Sequence, residues 1–319
     1  MPISTPRFRR PIRCLWSKRI VTSANRATAF LNNRIISMIR PALKGIGTLW
    51  IGGPLSFLEQ MCLLSFVAQG HKVTLFHYGE IAHVPQDIEV IDAREIHDPA
   101  MIIYNKQFGT PVVQSDIFRL HMLRQTNLIL ADSDVLCLRP FDLPTDHVFG
   151  YFRRRELCNA IIGLPQDSPG LNAYLDYVQD EYPIPPNLPP EDHDRMLALK
   201  AAGQIKHASE QAHSVYGPGV FTTFMEQSGE ISHATPPSVF YPLPFRQAGQ
   251  ISDIHVREFR AAYIKDDTLG VHLWGRRIRW WVHGRGIARY SLMDRTLRHL
   301  GIDPKAAPIQ LPSRIPTSA

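Results

Sequence analysis

Two acids separated by one small residue close an apolar run at Leu128-Ile129-Leu130-Ala131-Asp132-Ser133-Asp134-Val135. A run of this kind reads as a buried strand. The end of such a strand is where an open α/β sheet presents chemistry to a crevice. Burying two carboxylates there without partners is costly. A divalent cation removes that cost, because hard oxygen ligands at short spacing suit Mg²⁺ or Mn²⁺. The competing reading is a solvated turn or a helix cap, although solvated turns are usually richer in Gly and Asn.

Four further features carry side chains able to assist. Asp116 and Arg119 lie three apart in Ser115-Asp116-Ile117-Phe118-Arg119 and share one helix face. They can pair with each other, or Arg119 can take a phosphate. Trp50 offers a flat face to a base, or packs as a core aromatic. His272 sits on a late apolar stretch, as a ligand or as a satisfied core histidine. Arg276, Arg277, Arg279, Trp280, Trp281, Arg285 and Arg289 form a basic-aromatic cluster after it. That cluster could clamp a diphosphate or an anionic acceptor, interleave with single-stranded nucleic acid, or form a solvated loop.

These residues need elements to hold them. Gly47 to Gly53 reads as a strand running into a Gly-Gly-Pro turn. Ser56-x-x-Glu59 is a capping box, and Leu58, Cys62, Leu63, Phe66 and Val67 give its helix an apolar stripe. Gly70 ends that helix. Lys72–Tyr78 and Glu89–Asp92 read as further strands, and the strand–helix–strand spacing argues for a parallel sheet with right-handed crossovers. Ser115 is expected to cap the helix carrying Asp116 and Arg119. Val148–Phe152 reads as a strand. Ser168-Pro169 supplies a cap and an N1 proline for the next helix. Residues 183–190 (PIPPNLPP) form an extended proline-rich connection, and Glu191–Ala202 is helical by propensity. Gly217-Pro218-Gly219 opens a short helix through Met225. Val239–Pro242 is expected to be extended, Gly270–Trp274 a late strand, and Ser291–Leu300 the last helix.

The chain has 319 residues, 44% apolar and 20% charged, the balance of an ordinary globule. Its first 44 residues carry ten Lys/Arg and no acid, leaving 25 basic against 29 acidic residues beyond them. The main body is therefore mildly acidic, and no general nucleic-acid surface is expected. The basic segment 1–44 is expected to be a poorly ordered arm, with peripheral contact to anionic lipid as a second reading. Cys14, Cys62, Cys137 and Cys158 form no C-x-x-C pair, which argues for reduced, partly buried thiols in a cytoplasmic protein. No stretch reaches the roughly 18 uninterrupted apolar residues of a spanning helix. A tail over 302–319 is expected to be disordered.

Ser115-Asp116-x-x-Arg119 followed by an apolar strand ending in Asp132-x-Asp134 resembles the DXD region of sugar-nucleotide glycosyltransferases. That group includes the yeast initiating mannosyltransferase, α-1,4-galactosyltransferases and bacterial capsular polysaccharide enzymes. Trp50-Ile51-Gly52-Gly53, Asn159-Ala160, Gly217-Pro218 and His272-x-Trp274 are similar to other elements of the group. The resemblance spans about residues 47–282. It implies a GT-A-like, Rossmann-type α/β domain over 45–301, a mixed sheet flanked by helices. It also implies a nucleotide diphosphate sugar donor, UDP-linked, a Mn²⁺ or Mg²⁺ ion, retention, and a glycan or lipid-linked acceptor. On this resemblance Trp50 flanks the base, and Asp116, Arg119 and Asn159 hold the donor. Asp132 contacts ribose or metal-bound water, Asp134 ligates the metal, and His272 completes the metal or phosphate site. Asn127-Leu128 stands where the group has Gly-Gly, and Leu130 where it has Tyr. Those departures motivate one alternative, a catalytically decayed sugar-nucleotide-binding module. Asp132-Ser133-Asp134-Val135 with Lys265-Asp266-Asp267 motivates another, a haloacid-dehalogenase-type phosphatase with Asp132 as nucleophile.

Overall fold

The structure, a computed structural model, describes residues 43–311 apart from His213. The basic arm up to Ala42, with Cys14, and residues 312–319 lie outside the described residues. From Leu43 the chain forms one compact unit. Among the described residues no helix is long and apolar enough to cross a membrane.

The frame is a six-stranded mixed sheet flanked by helices. In chain order its strands are β1 (Ile46–Trp50), β2 (Val73–His77), β3 (Glu89–Asp92), β4 (Ile129–Ala131), β6 (Val148–Arg153) and β7 (Glu156–Gly163). Their spatial order is β3-β2-β1-β4-β7-β6. The first four run parallel, and β7 and β6 are antiparallel additions. β5 (Val135–Cys137) and β8 (Gly270–His272) pair separately as a small antiparallel ladder. Central strands buried on both faces need apolar residues at every position. In β4, Leu130 packs with the helices of one face, while Ile129 and Ala131 pack into the core of the other.

The helices are α1 (Phe57–Ala68), α2 (Val112–Gln125), α3 (Pro169–Val178), α4 (Pro190–Ala201), α5 (Pro218–Gln227), α6 (Val256–Tyr263), α7 (Gly275–Arg285) and α8 (Leu292–Leu300). Local chemistry starts several of them as expected. Ser56 and Glu59 form a complete capping box on α1, and Ser168 accepts from Leu171 N at the start of α3. α2 differs. It begins at Val112 behind Pro111 with no side-chain cap, so Ser115 lies inside its first turn. Val239 also differs: Pro237–Phe240 is a single helical turn, because Pro237 sits at the first helical position and Tyr241 N bonds back to Pro237 O. The basic-aromatic cluster from Arg276 to Arg285 forms α7 rather than a loop, and Arg289 follows it.

α2 lies close over β1 because Gly47 has no side chain. A Cβ there would meet Met122 Sδ at 2.4 Å. α2 ends without a left-handed residue. Thr126 φ is −127° and its Oγ1 donates to Met122 O while accepting from Leu128 N. Asn127 and Leu128 are thus unstrained, and the positive-φ non-glycine residues lie elsewhere. Residues 302–311 lie along the domain: Ala307 is buried and its carbonyl accepts from Phe57 N at 2.7 Å.

Candidate active site

Parallel strands end on one side of the sheet, so β1 and β4 deliver Trp50 and Asp132 to the same edge. Thr48 Oγ1 donates to Ala131 O at 2.6 Å and ties the two strand ends together. Between β4 and β5 the chain turns through Asp132-Ser133-Asp134. Asp132 N bonds to Ala160 O on β7, and Val135 N bonds back to Asp132 O. β8 returns beside β5 with His272 opposite Val135. One ligand atom from each of Asp132, Asp134 and His272 can therefore lie within 4.8 Å of the others, a group that could hold a metal ion. Two carboxylates and an imidazole suit Mn²⁺ well and Mg²⁺ through the carboxylates.

α7 starts at this group. Trp274 takes a left-handed conformation, φ +59°, and turns Gly275 N toward Asp134 Oδ2. A helix N-terminus favours a carboxylate. Gly275 has no room for more: a Cβ would lie 2.8 Å from Asp134 Oδ2. Trp274 Nε1 donates to Leu243 O at 2.8 Å, and its ring centroid is 4.3 Å from that of His272.

Charge is balanced tightly here. Burial pushes the Asp134 carboxyl up, but His272 at 3.2 Å and Gly275 N–H outweigh it and hold it down at about 2. Burial would lower His272, yet the Asp134 carboxylate raises it well above the ordinary histidine range. Asp132 is raised by burial and by Asp134, against Arg119 and His272. Asp116 is pushed up to about 7, chiefly by burial, with Arg119 opposing.

Arg119 crosses from α2 to this group. Its Nη1 donates to Asn159 O, its Nη2 meets Ser115 Oγ at 3.3 Å and Asp132 Oδ1 at 3.5 Å, and its Nε lies 3.3 Å from Asp116 Oδ1. Asn159 Nδ2 donates to Asp116 Oδ1 at 3.0 Å. Asp116 and Asn159 thus stand behind Arg119 and orient it. Ser115, expected as a cap, is one of that guanidinium's partners.

A cavity of about 310 Å³ opens over these groups. Its walls include Trp50, Ser115, Arg119, Asp132, Asp134, Gly275, Arg276 and Arg279. Leu130, which stands where the resembled group has Tyr, faces the core and does not line it. Arg279 lies over the Trp50 ring, 5.6 Å from its centroid, and pairs with buried Glu59. Arg276 and Arg279 come from the basic-aromatic cluster that the sequence offered as a diphosphate clamp. Gly275 and Glu59 were not singled out as site residues, Glu59 being read only as part of a capping box. Lys265, Asp266 and Asp267 precede β8 at the end paired with Cys137, away from Asp134, and none lines the cavity.

No family signature matches the chain, and no curated protein matches it. Among solved structures, it is similar to a PaToxG glycosyltransferase, with 17% identity over 84% of this chain and 97% of that one, at a TM-score of 0.39. It is also similar to the apo form of a bifunctional glycosyltransferase, WbbM, with 9% identity over 82% of this chain and 50% of that one, at a TM-score of 0.36.

Proposed function

We propose that this protein is a metal-dependent glycosyltransferase that moves a hexose from a UDP-sugar to a glycan or lipid-linked acceptor with retention. The observation that carries the reading is the grouping of Asp132, Asp134 and His272, with the two acids in the wall of a cavity that Trp50, Arg119, Arg276 and Arg279 also line. A carboxylate pair surrounded by guanidiniums and an indole suits a metal–diphosphate with an attached base.

Asp134 and His272 would hold Mn²⁺ or Mg²⁺ with Asp132 beside them, and the ion would supply Lewis-acid charge neutralisation to a departing diphosphate. The rest falls to the chain. Arg276 and Arg279 sit where a diphosphate would lie across the mouth of α7. Trp50 flanks the base, one face of its ring already covered by Arg279. Arg119, aligned by Asp116 and Asn159, meets the donor sugar and Asp132. In this reading the protein is cytoplasmic, as its unclustered cysteines suggest, and the basic segment 1–44 makes peripheral contact with anionic lipid.

The test titrates the protein with Mn²⁺ and a panel of nucleotide sugars and follows slow donor hydrolysis. Metal-dependent hydrolysis of a UDP-sugar that is lost on chelation and in Asp134→Asn supports the reading. Turnover of a phosphomonoester through an aspartyl-phosphate on Asp132 would overturn it. Tight donor binding with neither hydrolysis nor transfer would make the protein a binding module. The anomeric configuration of a transferred sugar tests retention.

A further inference from the structure

A second cavity, of about 590 Å³, lies along the other flank of α7 and shares Arg276 with the first. Its size falls within the roughly 300–1,000 Å³ usual for small-ligand sites. It is lined by Phe245, Arg276, Arg277, Trp280, Trp281 and Arg285. Among the described residues no acidic one lines it. Trp280 and Phe245 are 40% and 51% exposed, two of the larger apolar side chains on the described surface. Flat aromatic faces with guanidiniums between them suit a sugar ring that carries negative charge: ring C–H groups meet the indole, and an anion meets a guanidinium.

The guanidiniums are held in place. Arg277 lies over the Phe245 ring at 5.1 Å and donates through Nη2 to Arg246 O, while its buried Nε has no hydrogen-bond partner among the described residues. Arg285 lies over the Trp281 ring at 4.4 Å, and Asp253 approaches it only to 4.0 Å. Trp281 Nε1 is anchored on Asp253 Oδ1 at 2.9 Å. A lipid surface would call for a projecting apolar ridge, whereas these side chains line a hollow that shares Arg276 with the first cavity.

We propose that this groove binds the acceptor, and that the acceptor carries a carboxylate or phosphate on the sugar seated against Arg277, Arg285 and Trp280. The proposal rests on the transferase reading for the word acceptor, but its binding claim stands alone. Seated there, the chain end would point past Arg276 into the donor cavity.

The experiment is calorimetric titration of the full chain with tetragalacturonate, with maltotetraose as the neutral counterpart, and separately with UDP plus Mn²⁺. The expected result is saturable, salt-sensitive binding of tetragalacturonate that exceeds binding of maltotetraose. Arg277→Gln and Arg285→Gln should each weaken it about tenfold, the loss of one charge-assisted hydrogen bond. Trp280→Ala should weaken it as well. UDP–Mn²⁺ binding should stay unchanged in all three variants, since none of the three residues lines the donor cavity. Arg285 is largely exposed, so its substitution leaves folding intact and keeps the test sharp if Arg277→Gln misfolds. Equal affinity for the acidic and neutral tetrasaccharides would overturn the proposal, as would no binding of either. Arginine-dependent binding of vesicles containing phosphatidylglycerol, without tetragalacturonate binding, would overturn it in favour of a membrane surface. Failure of UDP–Mn²⁺ binding with tetragalacturonate binding intact would instead count against the transferase reading alone.

Discussion

At the scale of single residues, the site depends on one backbone N–H. Asp134 is held by Gly275 across 141 positions of sequence. Gly275→Ala would force a Cβ to within 2.8 Å of the carboxylate. We expect Mn²⁺ affinity to fall about 10–100-fold, the usual cost of disturbing a ligand's support, while melting temperature changes little; calorimetric Mn²⁺ titration checks it. Arg119→Lys should lower donor affinity more than Mn²⁺ affinity, because one ammonium cannot span Ser115, Asn159 and Asp132 as the planar guanidinium does. A UDP titration at saturating Mn²⁺ reads that difference. The acids themselves were legible in the sequence, since Asp132 and Asp134 end an apolar run. Gly275 was not, because a glycine's need for empty space depends on a partner that only folding brings near. Folding also decides where the departures fall: Leu130 points into the core, and Leu128 follows a helix that Thr126 ends without positive φ.

At the scale of elements, two helix starts do more than begin helices. Glu59 completes the capping box of α1 through Ser56 and also pairs with Arg279 on α7. Burial raises its pKa, with Arg279 opposing. Glu59→Ala removes the box and strands a guanidinium, so a loss of about 3–5 kcal/mol is expected in denaturant unfolding. Its capping role was readable from Ser56-x-x-Glu59; its pairing was not, because Arg279 lies 220 residues away. α3 starts on Glu230, whose Oε2 accepts from Gly170 N at 2.8 Å while Oε1 meets His147 Nε2 at 3.0 Å. Burial would raise the Glu230 carboxyl, but hydrogen bonds from Ser168, His147, Ser228 and Gly170 N outweigh it and hold its pKa below the ordinary 4.5. A carboxylate depressed on folding contributes stability that is full above its unfolded pKa and is lost as pH falls through its folded one. Melting temperature should therefore drop as pH is lowered below about 4.5, and the drop should be shallower in Glu230→Gln.

At the scale of the molecule, the strands β1 to β4 and their parallel crossovers follow from patterns within and between neighbouring segments, which is why they could be read in advance, whereas their spatial order could not. The join between the sheet and its last 40 or so residues could not, because it is made by long-range contacts such as Phe57 N to Ala307 O. Ending the chain at Gly301 would orphan that amide at the start of α1 and uncover the core that Ile302 and Ile309 pack against. A loss of about 2–4 kcal/mol follows from one unmet buried N–H and the lost apolar burial, measurable as a lower midpoint in urea. A different consequence comes from where the indoles sit. Of five tryptophans, Trp16 lies outside the described residues; the other four gather around the cavities. Trp50 lines the first cavity beneath Arg279, Trp274 stands against His272, and Trp280 and Trp281 line the second. None is among the largest fully buried side chains of the core. Four of the five indoles that give this protein its ultraviolet emission thus report on its cavities, while far-ultraviolet dichroism follows the secondary structure. Unfolding curves from the two signals would part wherever the α7 region loosens before the strands do.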